Sequence, residues 1–325
     1  MTDPLPHDRR NLSDRSLSAL KWNYVGVVAK ILAQLAIGVL LARLLGPEPF
    51  GLVAMAWIVI GLGNLVADFG LGAALVQRKE ITDLEIRYVF TAQVIFGLIL
   101  TGIVAVSSGL MAYLFKRADI VPVVQALSLF FVIQSFGQTA TSLLKRNLNF
   151  KAISLAQLLT YLFAYFLLGV PLAYAGLGVW SLVVAQLTQS LLYTLAAYFL
   201  ARHAAKPLFS CPAEGYFSFG FKSVANNLAN WSINNVDNAF IGRFFGATEL
   251  GLYNRAFMLL IGPANHVIAT LQGVLFATYS RIQDKLVLLR QIYLASMGGV
   301  ALIFMPVLAG IAVIPGTLIE GLYGE

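Results

Sequence analysis

Apolar runs long enough to cross a bilayer follow one another along almost the whole chain. A helix rises 1.5 Å per residue, so about 20 apolar residues span the hydrocarbon core. Runs of that length fall at 22–43, 50–75, 88–115, 120–144, 152–174, 177–200, 217–241, 250–279 and 287–314. They are read as nine helices, because in lipid a helix satisfies its own backbone polar groups. Barrel strands would instead alternate over about 10 residues, which these runs do not. Of the 325 residues 59% are hydrophobic and 11% charged, against about 25% charged in a soluble domain. The expected fold is therefore an all-α polytopic membrane protein. The first 20 residues are polar, the run after them is too long for a signal-peptide core, and no cleavage site stands out. The first span is expected to stay in place.

The cations set the orientation. With the N-terminus in the cytoplasm, that side holds Arg9, Arg10, Arg15, Lys21, Arg78, Lys79, Arg87, Lys145, Arg146, Lys151, Arg202, Lys206, Lys222, Arg281, Lys285 and Arg290. The other side holds Arg43, Lys116, Arg117 and Arg243. Sixteen against four is a positive-inside bias. The net charge of +7 belongs to this pattern of short basic loops rather than to a nucleic-acid surface. The remaining two cations, Lys30 and Arg255, fall well inside spans.

One turn sequence occurs twice. Arg-Leu-Leu-Gly-Pro-Glu-Pro-Phe-Gly-Leu at 43–52 aligns with Arg-Phe-Phe-Gly-Ala-Thr-Glu-Leu-Gly-Leu at 243–252, an offset of 200. Arg43, Gly46, Gly51 and Leu52 meet Arg243, Gly246, Gly251 and Leu252. Each copy joins two spans, and the six helices between the copies, an even number, give both halves the same orientation. This is a parallel repeat about an axis along the membrane normal. The expected organisation is a cytoplasmic segment (1–21), a six-helix bundle (22–200), a cytoplasmic linker (201–216) and three helices of an incomplete second bundle (217–325). By the repeat, three further crossings are expected beyond Glu325. The linker carries Lys206, Pro207, Cys211 and Pro212, and Cys211 as the only cysteine excludes an internal disulfide.

The seventh span departs from the others. It contains Asn226, Asn227, Asn230, Asn234, Asn235, Asp237 and Asn238. Asn227, Asn230, Asn234 and Asn238 follow at intervals of 3, 4 and 4 and stack on one helical face, with Asp237 at its edge. Such a stripe must face other helices or water, because bare amides in hydrocarbon cost kcal/mol each. One or two would serve as interhelical glue; this number favours a hydrated cavity. Lys30 and Gln34 occupy the positions equivalent to Asn230 and Asn234. Lys30 lies eight residues past Trp22, about 12 Å deep, so it either snorkels or faces the same interior. Arg255 has the same two options. Ionisable groups within a membrane are functional candidates, and a cavity with two cations and several amides suits an anionic, hydroxyl-rich ligand. Asp237 pairing with Lys30 or Arg255 would neutralise that attraction.

Asp68 is expected at the membrane interface, Pro263 as a kink, and His266 as a packed polar group. No His, Cys and carboxylate cluster has metal spacing, and no nucleophile–base arrangement stands out, so neither an enzyme site nor a cofactor is expected.

Residues 42–56 (Ala-Arg-Leu-Leu-Gly-Pro-Glu-Pro-Phe-Gly-Leu-Val-Ala-Met-Ala), 68–82 (Asp-Phe-Gly-Leu-Gly-Ala-Ala-Leu-Val-Gln-Arg-Lys-Glu-Ile-Thr) and 144–150 (Leu-Lys-Arg-Asn-Leu-Asn-Phe) resemble the O-antigen and exopolysaccharide flippases. These belong to the multidrug/oligosaccharidyl-lipid/polysaccharide exporter superfamily. The resemblance runs from about residue 15 to the end of the chain; Pro49 departs from the acidic residue usual there. It implies two six-helix bundles in a bacterial cytoplasmic membrane and an undecaprenyl-diphosphate-linked oligosaccharide as substrate. Other polysaccharide assembly proteins are implied as partners. Lys30 and Arg255 are the candidates for the diphosphate and the span 7 amides, Asn227, Asn230 and Asn234, for the sugar, with Gln34 and Asp237 as further substrate-binding candidates. A cation-coupled drug exporter of the same superfamily would share the fold but prefer an acidic, aromatic cavity. A membrane glycan polymerase would need a large outer loop, and no loop here exceeds about 20 residues.

Overall fold

The computed structural model describes residues 28–67, 70–78, 80–204, 206–209, 216–257 and 286–313. Among them all regular structure is helical and there is no strand. In chain order the helices are α1 (Val28–Leu45), α2 (Pro47–Ala67), α3 (Leu71–Gln77), α4 (Asp83–Phe115), α5 (Ile120–Arg146) and α6 (Phe150–Tyr161). A π-helical stretch (Leu162–Gly169) leads into α7 (Val170–Tyr174), followed by α8 (Val179–Ala201) and α9 (Tyr216–Phe244). Residues 247–257 form α10, and Leu286–Val313 form α11. Among the described residues six helical segments are long and apolar enough to cross a membrane: Val28–Leu45, Asp83–Phe115, Ile120–Arg146, Phe150–Tyr174, Val179–Ala201 and Val287–Val313. Most of the eighth expected span, with Pro263 and His266, lies outside the described residues, as do Asp68 and Cys211.

Local chemistry sets the helix ends. Gly46 turns α1 into α2 at φ 72° and Gly70 precedes α3 at φ 72°, a conformation that only a residue without Cβ adopts freely. The run expected as one crossing at 50–75 is therefore two helices. Thr82 and Glu85 open α4 with a reciprocal capping box: Thr82 Oγ1 accepts from the Glu85 amide at 3.3 Å, and Glu85 Oε2 accepts from the Thr82 amide at 2.8 Å. Asn149 caps α6 by accepting from the Ala152 amide at 3.3 Å.

The chain divides into two units, up to Gly251 and from Leu252 onward. In the first, α5 packs against both α4 and α8, and Phe131, Leu127, Val124 and Val89 are buried there. Two of the polar groups buried in this layer tie its helices together. Thr139 Oγ1, fully buried, donates to Gln93 Oε1 at 2.6 Å, joining α5 to α4. Thr194 Oγ1 donates to the Ile133 carbonyl at 3.0 Å, joining α8 to α5. A second cluster sets Ile37 and Leu41 of α1 against Tyr161, Ala173 and Leu182. In the second unit α11 carries Pro306 in its interior, which removes the helical hydrogen bond to the Leu302 carbonyl.

Candidate functional site

The face of α1 that buries Ile37 and Leu41 also carries Lys30, about two and three turns away. Lys30 is half-buried, and its Nζ donates to Gln157 Oε1 of α6 at 3.2 Å. The lysine therefore turns toward α6. Gln34, one turn on, is exposed. Continuing from Gln157 at intervals of four come Tyr161 and Tyr165, whose rings stack 4.6 Å apart. Tyr165 OH donates to Gln186 Oε1 of α8 at 2.6 Å. Tyr165 lies in the π-helical stretch, a form that recurs at functional sites. An ammonium has three donors and one here is taken by an amide, so the row offers a cation, amides and aromatic faces to an anionic, polyhydroxylated group. Gln157, Tyr165 and Gln186 were not singled out from the sequence. Their signal was available as glutamines set inside apolar spans.

On α9 the structure describes part of the asparagine stripe. Asn234 is exposed, and Asp237 and Asn238 are half-buried. Asn235 Nδ2 donates to the Trp231 carbonyl one turn back at 2.9 Å, and Asp237 Oδ1 accepts from the Asn238 amide at 2.8 Å. Trp231 packs on α2, so closely that a Cβ at Gly61 would fall 2.5 Å from its Nε1. Asn227 and Asn230 lie in the helix, with their side chains outside the described residues. Arg255 is half-buried on α10, in the second unit.

Three further polar clusters sit at the helix ends. On the side expected to be cytoplasmic, Arg146 Nη1 donates to the carbonyls of Leu75 at 2.8 Å and Arg78 at 2.5 Å. Arg78 pairs with Glu85 at 2.6 Å. The segments 68–82 and 144–150 are thus clamped together, and these motif residues serve the architecture. The segment after α8 is strapped over α4: Arg87 Nε donates to the Lys206 carbonyl at 3.0 Å, and the Leu208 amide donates to Thr91 Oγ1 at 2.9 Å. Under this strap the His203 ring is buried between Phe90 and Tyr198, each 5.2 Å away, and burial pushes its pKa below the ordinary value. On the opposite side Arg117 pairs with Asp119 at 2.5 Å and Glu48 at 2.6 Å. Those hydrogen bonds, first to Asp119 and then to Glu48, raise its pKa further.

A cavity of about 490 Å³ lies between α4, α5 and α8, lined by Phe90, Val132, Ile133, Phe136, Leu191, Thr194, Leu195 and Tyr198. It is apolar and shares no residue with the Lys30 row, so it does not suit a charged group. Among the described residues no three His, Cys, Asp or Glu side chains gather as for a metal ion.

Helices throughout, apolar around their length and carrying a lysine on an interior face, define an all-α polytopic membrane protein. The comparisons narrow this. The chain belongs to the family described as polysaccharide biosynthesis protein, whose model matches residues 40–325. It is 26% identical over 318 residues to the lipopolysaccharide biosynthesis protein WzxC of Escherichia coli (strain K12), covering 97% of this chain and 64% of that protein. It is 27% identical over 322 residues to the teichuronic acid biosynthesis protein TuaB of Bacillus subtilis (strain 168), covering 97% and 66%. It is 28% identical over 246 residues to the succinoglycan biosynthesis transport protein ExoT of Rhizobium meliloti (strain 1021), covering 75% and 49%. The chain therefore spans just under two thirds of the length of the first two relatives. No solved structure matches it.

Proposed function

We propose that this chain forms the substrate-moving part of a flippase, which passes a lipid-diphosphate-linked oligosaccharide from the cytoplasmic to the outer leaflet for surface polysaccharide biosynthesis. A sugar diphosphate does not cross about 30 Å of hydrocarbon unaided, because its charges and hydroxyls lose their water there. A transporter must supply cations and hydrogen bonds along the way while the lipid tail stays in the bilayer. Lys30 meets the phosphate with Gln157 holding the ammonium in place, and Arg255 is the second cation. Gln34, Asn227, Asn230, Asn234 and Asp237 receive the sugar. The N-terminus is cytoplasmic, and the halves rock about the path in alternating access.

The observation that carries this reading is Lys30, half-buried in an apolar helix and held by the Gln157 amide at 3.2 Å. A lysine kept only for membrane anchoring would extend toward the interface. The test is surface polysaccharide in a strain that depends on the full-length protein. Lys30→Ala and Arg255→Ala are each expected to lower export about tenfold or more, a loss of about 1.4 kcal/mol in binding. Lys30→Arg is expected to retain much of it. Unchanged export by both alanine variants would reject the phosphate role.

A further inference from the structure

The two copies of the duplicated turn touch each other. Gly46 and Gly246, with φ of 72° and 93°, each release the chain into a new helix, α2 from Pro47 and α10 from residue 247. A Cβ built on Gly51 would fall 1.7 Å from the Ala247 carbonyl oxygen. A Cβ built on Gly251 would fall 2.0 Å from the Pro47 carbonyl oxygen and 3.2 Å from the Gly51 amide nitrogen. Positions 47 and 51 thus meet 251 and 247, a reciprocal pairing at the offset of 200. Reciprocity of this kind marks surfaces related by a two-fold axis. Small residues four apart let the backbones approach this closely, with Cα–H groups against carbonyl oxygens. Beside the crossing Phe115, at the end of α4, and Leu250 are both buried. They close on α9 so tightly that a Cβ at Gly242 would lie 2.9 Å from Phe115 Cε1 and 3.2 Å from Leu250 Cδ2. Arg117 ties the α4–α5 loop to Glu48 in the first turn of α2.

We propose that the crossing of 47–51 with 247–251, plugged by Phe115, is the outer seal of the transport path and parts when the path opens outward. The proposal rests on the flippase reading and on its orientation. The crossing sits where α1 and α9 end, on the face opposite the N-terminus. Asn234 is 12 residues before Gly246, about 18 Å along the helix, so the polar stripe lies on the cytoplasmic side of the seal. With backbone against backbone, an added side chain has no rotamer that relieves it. Bulk at Gly51 or Gly251 therefore acts directly on the closed state. Rigid-body rocking of two similar halves also places a gate naturally at a contact they share symmetrically.

The test uses the full-length protein with Cys211→Ser and a reporter Asn234→Cys, in membrane vesicles of either orientation, treated with a membrane-impermeant maleimide. The reporter is expected to react from the cytoplasmic side in the parent. Gly51→Leu and Gly251→Leu are expected to raise its reaction from the outer side about tenfold by shifting the closed–open equilibrium. Phe115→Ala is expected to do the same without adding bulk, which keeps the test valid where a leucine prevents folding. Gly102→Leu, on α4 with nothing within 4 Å of a Cβ, is expected to change nothing. Outer labelling that stays at the parent level in all three seal variants, while inner labelling persists, would overturn the seal and leave the flippase reading standing. A reporter that reacts from neither side in any variant removes the aqueous path, and the seal falls with it.

Discussion

Arg146 is where a recognised motif and a mechanical role can be separated by one substitution. Its Nη1 donates to the Leu75 carbonyl at 2.8 Å and the Arg78 carbonyl at 2.5 Å, just past the last turn of α3. A hydrogen bond to a charged group is worth about 1.5–3 kcal/mol net. Arg146 is half-buried, so water replaces part of what is lost, and Arg146→Ala is expected to cost about 2–3 kcal/mol. For a chain of this size, whose unfolding entropy is about 0.7 kcal/mol/K, that is a fall of about 3–4 °C in Tm. Arg146→Lys keeps the charge but not the rigid, planar guanidinium that sets Nη1 between the two carbonyls, so it recovers only part. The neighbouring Lys145 is exposed, and Lys145→Ala is expected to stay within about 0.5 kcal/mol. The assay is thermal unfolding of the purified protein in detergent, alongside surface polysaccharide normalised to protein in the membrane. The clamp account requires export per molecule to survive wherever folded protein survives. An Arg146→Ala variant with unchanged Tm and abolished export would refute it and make Arg146 a substrate contact.

Two more outcomes follow from the packing. His203 has a pKa lowered by burial, so the unfolded chain binds its proton more readily than the folded one. Its contribution to stability is complete above the ordinary histidine pKa of about 6.5 and declines as pH falls below it. Tm is therefore expected to drop between pH 7.5 and 5.5, and His203→Phe, which fits between Phe90 and Tyr198, is expected to flatten that dependence. Thr139→Val leaves Gln93 Oε1 without its 2.6 Å donor and is expected to cost about 1 kcal/mol. Adding Gln93→Leu is expected to cost less than the sum of the two single changes, as a double-mutant cycle in detergent would show.

The membrane fold is legible in the sequence because lipid leaves a chain of apolar runs only one regular answer. The break at Gly70 is not, since a positive φ does not show in an apolar pattern. Lys30 and the asparagines of α9 stand out by chemistry alone, being polar where neighbours are apolar. Their partners are a different matter. Gln157 lies 127 residues from Lys30, and nothing in the local pattern says which helix receives the ammonium. Asn235 spends its amide on its own helix, which spacing does not distinguish from facing a cavity. The motifs at 68–82 and 144–150 carry the family resemblance, yet their work as a clamp emerges only when Arg146 is seen beside the end of α3. The repeated turn is plain in the sequence, whereas the meeting of its two copies depends on how distant helices cross.

The most direct measurement is transbilayer movement of an undecaprenyl-diphosphate oligosaccharide in proteoliposomes holding the full-length protein, read by a glycan-binding probe confined to one side. The account predicts that the glycan becomes accessible across the bilayer with the parent protein and much more slowly with Lys30→Ala. Movement no faster than in protein-free liposomes, from protein shown to be folded, would contradict it.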